Sequence, residues 1–190
     1  DQLTLRNLEI VQPRSDAGKR TLFDVIDQTV TGMGGRLLRS WLLRPSLKRS
    51  EIETRLSAVE ELVDPILRDK LRFLMKQVAD LERLVGRLNL GNVTARDLLS
   101  LASTLDQTPK VIGSIADARS LLIQVLAENI FELPEIRSLI AAGIVDDPPG
   151  NIGDGGTIRI GFNAELDDLR SLSSDAKKLI AEFEERVDDQ

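Results

Sequence analysis

Five cations with no acid among them occupy the stretch between Asp27 and Glu51: Arg36, Arg39, Arg44, Lys48 and Arg49. Lys and Arg that neutralise phosphates release counterions, the term that supplies most non-specific affinity for DNA. The stretch therefore has the chemistry of a phosphate-facing patch. The same residues also read more plainly as a solvated helix face, or as a surface that docks onto an acidic neighbouring domain. The series of aromatic side chains that a single-strand stacking platform needs is missing.

Catalytic chemistry has little to work with. The chain has neither His nor Cys, which excludes disulfides, thiolate or imidazole metal sites, Cys/His or Ser/His nucleophilic pairs, and the usual general base near neutral pH. Carboxylate pairs stand at Glu60-Glu61, Asp146-Asp147, Glu184-Glu185 and Asp188-Asp189, but sequence neighbours point to different sides of a helix. A di-metal bundle needs Glu-x-x-His on facing helices, so only an oxygen-ligated hard cation is left. The glycines around Asp154-Gly155-Gly156 have no following Gly-Lys and no dinucleotide-fold spacing. No catalytic, cofactor or metal residue is assigned.

The 190 residues suffice for one large or two small domains that bury roughly 70% of their unfolded surface. Apolar residues make up 42%, mainly aliphatic, with one Trp and no Tyr, which favours helix over sandwich or barrel. Residues 1–90 hold 16 Lys/Arg against 13 Asp/Glu, a net +3, whereas residues 91–190 hold 9 against 18, a net −9. Absence of a signal-like or membrane-length apolar run makes a cytoplasmic location the expectation.

Punctuation predicts helices joined by tight connections. Ser50 and Glu53 fit a capping box, followed by Ile52, Leu56, Val59 and Val63 on one face. Asp64-Pro65 ends that helix and starts the next, with Leu67, Leu71, Leu74 and Val78 at helical spacing. Asp80 reads as an N-cap with Glu82 in the first turn, and its helix ends near Gly91. Thr94 opens another, which Thr108-Pro109 is expected to kink or break. Helices are expected at about 118–129 and 134–142. The Pro/Gly-rich residues 146–162 read as a joint, expected to be mobile from Asp146 to Gly156 and to hold at most one brief strand at 157–160. Asn163 then caps a long amphipathic helix through Leu166, Leu169, Leu172, Ala176, Leu179, Ile180, Phe183 and Val187. Met33-Gly34-Gly35 predicts close backbone approach at a helix start, with anion binding by its free amides as the alternative, and Trp41, sharing a face with Leu37, Leu38 and Leu42, is expected in the core, with an interface anchor as the alternative.

The blocks follow an order that identifies a family. Thr4-Leu5-Arg6-Asn7-Leu8-Glu9-Ile10 precedes a helix opening on Met33-Gly34-Gly35-Arg36-Leu37-Leu38-Arg39-Ser40-Trp41-Leu42-Leu43-Arg44-Pro45. Ile52, Arg55-Leu56 and Val59-Glu60 come next, then Asp80-Leu81-Glu82-Arg83-Leu84, then Gly156, Gly161 and Glu165-Leu166-Asp167-Asp168-Leu169-Arg170. This series resembles the core, or lever, region of the MutS family of DNA mismatch-repair proteins over nearly the whole chain. The resemblance implies an all-α fold of two packed helical subdomains, with a core at 1–145, a joint at 146–162 and the start of a clamp-bound helix at 163–190. It implies a mechanical role between a DNA-contacting clamp and an ATPase, in a parent that uses ATP and Mg and is a homodimer. Family members bind mispairs through an N-terminal domain carrying a Phe-x-Glu wedge and ATP through a C-terminal P-loop domain; neither domain is read in these residues, and no Gly-x-x-x-x-Gly-Lys-Ser/Thr run occurs. At its end, Arg186-Val187-Asp188-Asp189-Gln190 stands where a Glu-Arg-rich run and a Thr-Gly turn belong, so a segment stopping short of the clamp is expected. An independent helical oligomerisation or adaptor module is the alternative.

Overall fold

The structure, a computed structural model, describes residues 3, 7–13, 20–150 and 152–188, with side chains given up to residue 176. The motif residues Thr4, Leu5 and Arg6, the side chains of Leu179, Ile180, Phe183 and Val187, and the Glu184-Glu185 and Asp188-Asp189 pairs lie outside that description. The fold is all-α: the described residues form helices α1 (Leu22–Ile26), α2 (Gly32–Leu43), α3 (Arg49–Glu61), α4 (Pro65–Met75), α5 (Leu81–Asn89), α6 (Ala95–Ile115), α7 (Leu121–Glu128), α8 (Pro134–Gly143) and α9 (Ala164–Asp188).

Capping residues set most of these starts. Thr21 and Asp24 form a reciprocal capping box on α1, as Thr94 and Asp97 do on α6, each satisfying backbone donors a helix start leaves over. Asp64 accepts from Ile66 N ahead of Pro65, and Asp80 accepts from Arg83 N at 3.3 Å. The Ser50 box is not formed. Helix α3 begins at Arg49, and Lys48 caps it without a side-chain bond. The Ser46 hydroxyl takes over this entry, donating to Glu51 Oε2 at 2.6 Å and accepting from Lys48 N at 3.2 Å, while Glu53 pairs with Arg49.

Helix α6 is the spine. It packs against α4, α5, α7 and α8, and buries Ala95, Thr104, Leu105, Gln107, Val111 and Ile115 along its length. One apolar cluster joins Ala58, Ile115, Ala118 and Ile123 with Leu62 and Leu71. A second gathers Ala95, Ile140 and Ile144 with Leu98, Leu99, Leu101 and Ala102 at the opposite end. The expected break at Thr108-Pro109 does not occur, since α6 runs through Pro109. A proline there forfeits one backbone bond, but buried Leu105, Val111 and Ile115 on both sides hold the helix to its neighbours. Thr104 Oγ1 accepts from Ala79 N and donates to Ser100 O, both at 2.9 Å, which pins the α4–α5 connection to the spine.

The residues on either side of the stretch 146–156 are tied to each other. Ile144 and Ile158 form an isolated antiparallel bridge rather than a strand, with Val145 N donating to Thr157 O and Arg159 N to Gly143 O. Pro148 is fully buried. The Arg159 guanidinium donates to Ala141 O, Ile144 O and Asp146 Oδ1. Two more arginines reach carbonyls of the irregular chain, Arg96 donating to Pro148 O and Arg170 to Ile158 O, so backbone acceptors there find side-chain donors. From this knot α9 departs, capped by Asn163, whose Oδ1 accepts from Leu166 N. Its 25 residues extend about 37 Å.

Candidate functional site

Helix α2 carries the basic stretch, and its start is built from short hydroxyl side chains. Thr31 Oγ1 accepts from Gly34 N at 3.0 Å, and Asp27 Oδ1 accepts from both the Thr29 amide and hydroxyl. A Cβ on Gly34 would stand 3.0 Å from Thr31 Oγ1, and one on Gly32 would stand 3.0 Å from Asp80 Oδ2. The glycines therefore make room for side chains, not for the second backbone expected there. Asp80 also brings negative charge to the first turn of α2, where the helix dipole favours it.

One basic residue is fully engaged. Arg36 meets the Asp80 carboxylate in a two-pronged pair, Nη1 to Oδ2 at 2.8 Å and Nη2 to Oδ1 at 2.7 Å, and its Nε donates to Glu82 Oε2 at 2.9 Å. Bidentate charge-assisted bonds of this kind fix orientation as well as distance. The Arg36 hydrogen bonds hold Asp80 down to about 2, and Asp80 and Glu82 raise Arg36 above its ordinary range. Asp80 thus caps α5, anchors Arg36 and lies against α2. Nearby, Arg87 pairs with Asp97 on α6 at 2.6 Å.

The remaining cations divide. Arg49 is spent on Glu53 at 2.7 Å, one turn along α3. Arg39, Arg44 and Lys48 are exposed, and among the described residues no ion pair engages them. Arg39 contributes to the lowered carboxyl of Asp24, after the dominant Thr21 backbone and hydroxyl bonds. Trp41 is not in the core. It is 38% exposed, with the Arg55 guanidinium 4.0 Å above its ring, and α2 has no buried residue at all.

Two of the paired carboxylates, Glu61 and Asp146, hold neighbouring segments in place. Glu61 accepts from the amides of Arg119 and Ser120 at 2.7 and 2.8 Å, an N-terminal anchor for α7 supplied from α3, and these bonds lower its carboxyl. Asp146 holds Arg159. No group of three or more Asp or Glu able to hold a metal occurs among the described residues, and no helix of these residues is long and apolar enough to cross a membrane. Sequence reading missed Glu61, Thr104 and Arg159, whose partners lie 58 or 59, 25 and up to 18 residues away. No local pattern signals such pairs.

Two clusters on one spine, a long departing helix and carboxylates that serve as caps and anchors define a helical scaffold domain. The family model described as MutS domain III matches residues 3–190, and the chain belongs to that family. It is 46% identical over 193 residues to the DNA mismatch repair protein MutS of Solibacter usitatus (strain Ellin6076), covering 98% of this chain and 22% of that protein. The MutS proteins of Pelotomaculum thermopropionicum and Methanosarcina mazei are 44% and 41% identical over 98% and 100% of the chain. The chain spans about 22% of the length of these relatives.

Proposed function

We propose that this domain is the lever of a larger mismatch-repair protein, carrying conformational change between a DNA-contacting clamp and an ATPase. The observation that supports this reading is the continuity of α6 through Pro109, with an apolar cluster at each end, leading through α8 and the Arg159 knot into the 25-residue α9. Packed helices move between a few discrete arrangements, so displacement at one end biases the other. In this reading residues 1–145 form the core, 146–162 the knot and 163–190 the start of the arm. ATP and its Mg²⁺ bind elsewhere in the polypeptide, because the Gly-Lys-Ser/Thr loop that cradles phosphates does not occur in this sequence. The complete protein is then a cytoplasmic homodimer that grips DNA through the clamp. Arg39, Arg44 and Lys48 supply the exposed charge for a secondary DNA or domain contact.

The test is a break in the arm. Ala176→Pro in the full-length protein removes one helical hydrogen bond and kinks α9 at a cost of about 3 kcal/mol. The variant should fold and keep its basal ATPase yet lose most of the change in ATPase rate on DNA binding, while Ala176→Leu retains it. An intact DNA response in folded Ala176→Pro would end the lever reading.

A further inference from the structure

Two helix C-termini meet at one cleft with no cation in place to receive them. Helix α3 ends on Glu60 and Glu61, and Asp117 follows the last turn of α6. Neither helix has a basic residue in its last turn, although the negative end of the helix dipole favours one there. With Asp64 and Leu67 these carboxylates line a cleft of about 550 Å³ between the α3–α4 turn and the α6–α7 connection. Arg119 is the one cation among the lining residues, so four carboxylates against one guanidinium leave a formal charge of −3. Glu60 and Asp117 are exposed, and among the described residues no ion pair engages them.

Ser120 sets this cleft apart from an ordinary acidic surface. It lines the cleft and is only 4% exposed, and among the described residues its Oγ has no hydrogen-bond partner. A serine at an N-cap normally accepts from an amide of the first turn, yet Ser120 makes no such bond to α7. Glu61 accepts from the Arg119 and Ser120 amides instead, and those bonds lower its carboxyl, which keeps it ionised beside the hydroxyl. A buried hydroxyl without a partner bears its desolvation uncompensated. The group that satisfies both the hydroxyl and the carboxylates is a positively charged hydrogen-bond donor.

The kind of cation follows from the donors and the room. Among the described residues no group of three or more carboxylates is placed to hold a metal ion. The volume also far exceeds the roughly 30 Å³ share of one water-sized group, so a lone ammonium would leave most of it to solvent. Acids stand on two walls, and Leu67 adds apolar surface to the lining. We infer that this cleft binds a linear aliphatic polyamine through Glu60 and Glu61 on one wall, Asp117 on the other, and the Ser120 hydroxyl. Its ammonium groups meet the two walls in charge-assisted bonds, and the methylenes between them cover Leu67. Bound there, it ties the two connections together beside the Ala58, Ile115, Ala118 and Ile123 cluster. The inference does not depend on the domain acting as a lever.

The experiment titrates spermidine by isothermal calorimetry, with the melting temperature as second readout, into the full-length protein free of DNA and nucleotide and into residues 1–190. Ser120→Ala removes the hydroxyl without removing a hydrogen bond seen in the structure. Its melting temperature without spermidine should therefore equal or exceed that of the wild type, while its spermidine affinity falls severalfold. Glu60→Gln with Asp117→Asn should weaken binding about tenfold, the size expected from two exposed charge pairs. Glu128→Gln with Glu132→Gln, an equal change of charge at exposed positions elsewhere, should leave it unchanged. Spermidine should raise the melting temperature by mass action, and Mg²⁺ should not. Equal weakening by both double variants would reduce the effect to general counterion attraction and overturn the inference. Wild-type affinity in Ser120→Ala, or a melting shift reproduced by Mg²⁺, would overturn it too. Binding to residues 1–190 that the full-length protein lacks would assign the cleft to another segment of the polypeptide, with the same consequence.

Discussion

If α6 makes the domain one mechanical body, damage to either apolar cluster must be felt by the whole domain. Ile123 and Ile140 are 6% and 7% exposed, one in each cluster. Ile→Ala removes three carbons, about 2.4 kcal/mol of transfer free energy at roughly 0.8 per carbon. The residual cavity brings the loss to about 3–4 kcal/mol. In a domain of this size each kcal/mol lowers the melting temperature by about 2–4 °C, so either substitution should lower it by about 10 °C. The clusters sit at opposite ends of a helix about 31 Å long, so the two losses should add to within ~0.5 kcal/mol. Calorimetry of Ile123→Ala, Ile140→Ala and the double variant supplies the assay, with urea unfolding by circular dichroism as a second probe. One transition should persist in every variant, with calorimetric and van 't Hoff enthalpies equal. A curve that splits, leaving one limb at the wild-type midpoint, would show two bodies joined by a flexible α6 and would refute the argument.

Binding to duplex DNA by the isolated chain should be weak and indifferent to mismatches. Its log–log salt slope should be no steeper than about −3, since the three exposed cations of the stretch that no carboxylate pairs contribute about −0.9 each. Glutamines at Arg39, Arg44 and Lys48 together should abolish it, whereas Arg36→Gln should leave the slope alone and lower the melting temperature; a loss of slope with Arg36→Gln would contradict the assignment. Acid stability should depend on Asp80. Its folded pKa lies below the unfolded value, so its stabilisation is complete above about pH 4 and is lost as pH falls toward 2. Asp80→Asn should flatten that part of the stability profile, and an unchanged acid limb would count against the Arg36 clamp. Hydrogen exchange should find the amides of Val145 and Arg159 protected and those of Gly153 to Gly156 fast, because the first two meet carbonyls across the knot; equally fast exchange at Val145 and Arg159 would show that the knot does not hold.

What was legible in the sequence is what local chemistry determines. Thr94 with Asp97, Asp64 before Pro65, Asp80 and Asn163 mark helix starts because the side chain that caps lies within three residues of the amide it serves. The basic stretch was equally legible as a run of cations, but its division was not. Arg36 leaves the patch because Asp80, 44 residues on, meets it in a bidentate pair, a relation only the packing of α5 beside α2 creates. Pro109 and Arg159 show the same limit from two sides: burial carries a helix through a proline, and the guanidinium groups of Arg96, Arg159 and Arg170 reach carbonyls in and beside a segment whose composition reads as loose.

The stripes on α2 and α3 expose a different limit. Periodicity shows that a helix has an apolar face, and it cannot show whose core that face belongs to. On α3 the large aliphatics Ile52, Leu56 and Val59 are exposed while the smaller Ala58, with the C-cap Leu62, meets α7, so ranking faces by hydrophobicity selects the wrong one. On α2 the leucines and Trp41 form a face that no described helix buries. A domain that folded for itself alone would have little reason to keep such faces in water, at about 25 cal/mol for each Å² of apolar surface left uncovered. The mismatch between the apolar pattern and the buried set is therefore information in itself. It sets α2 and α3, with apolar side chains left exposed, apart from α6, which buries residues along its whole length and packs against α4, α5, α7 and α8.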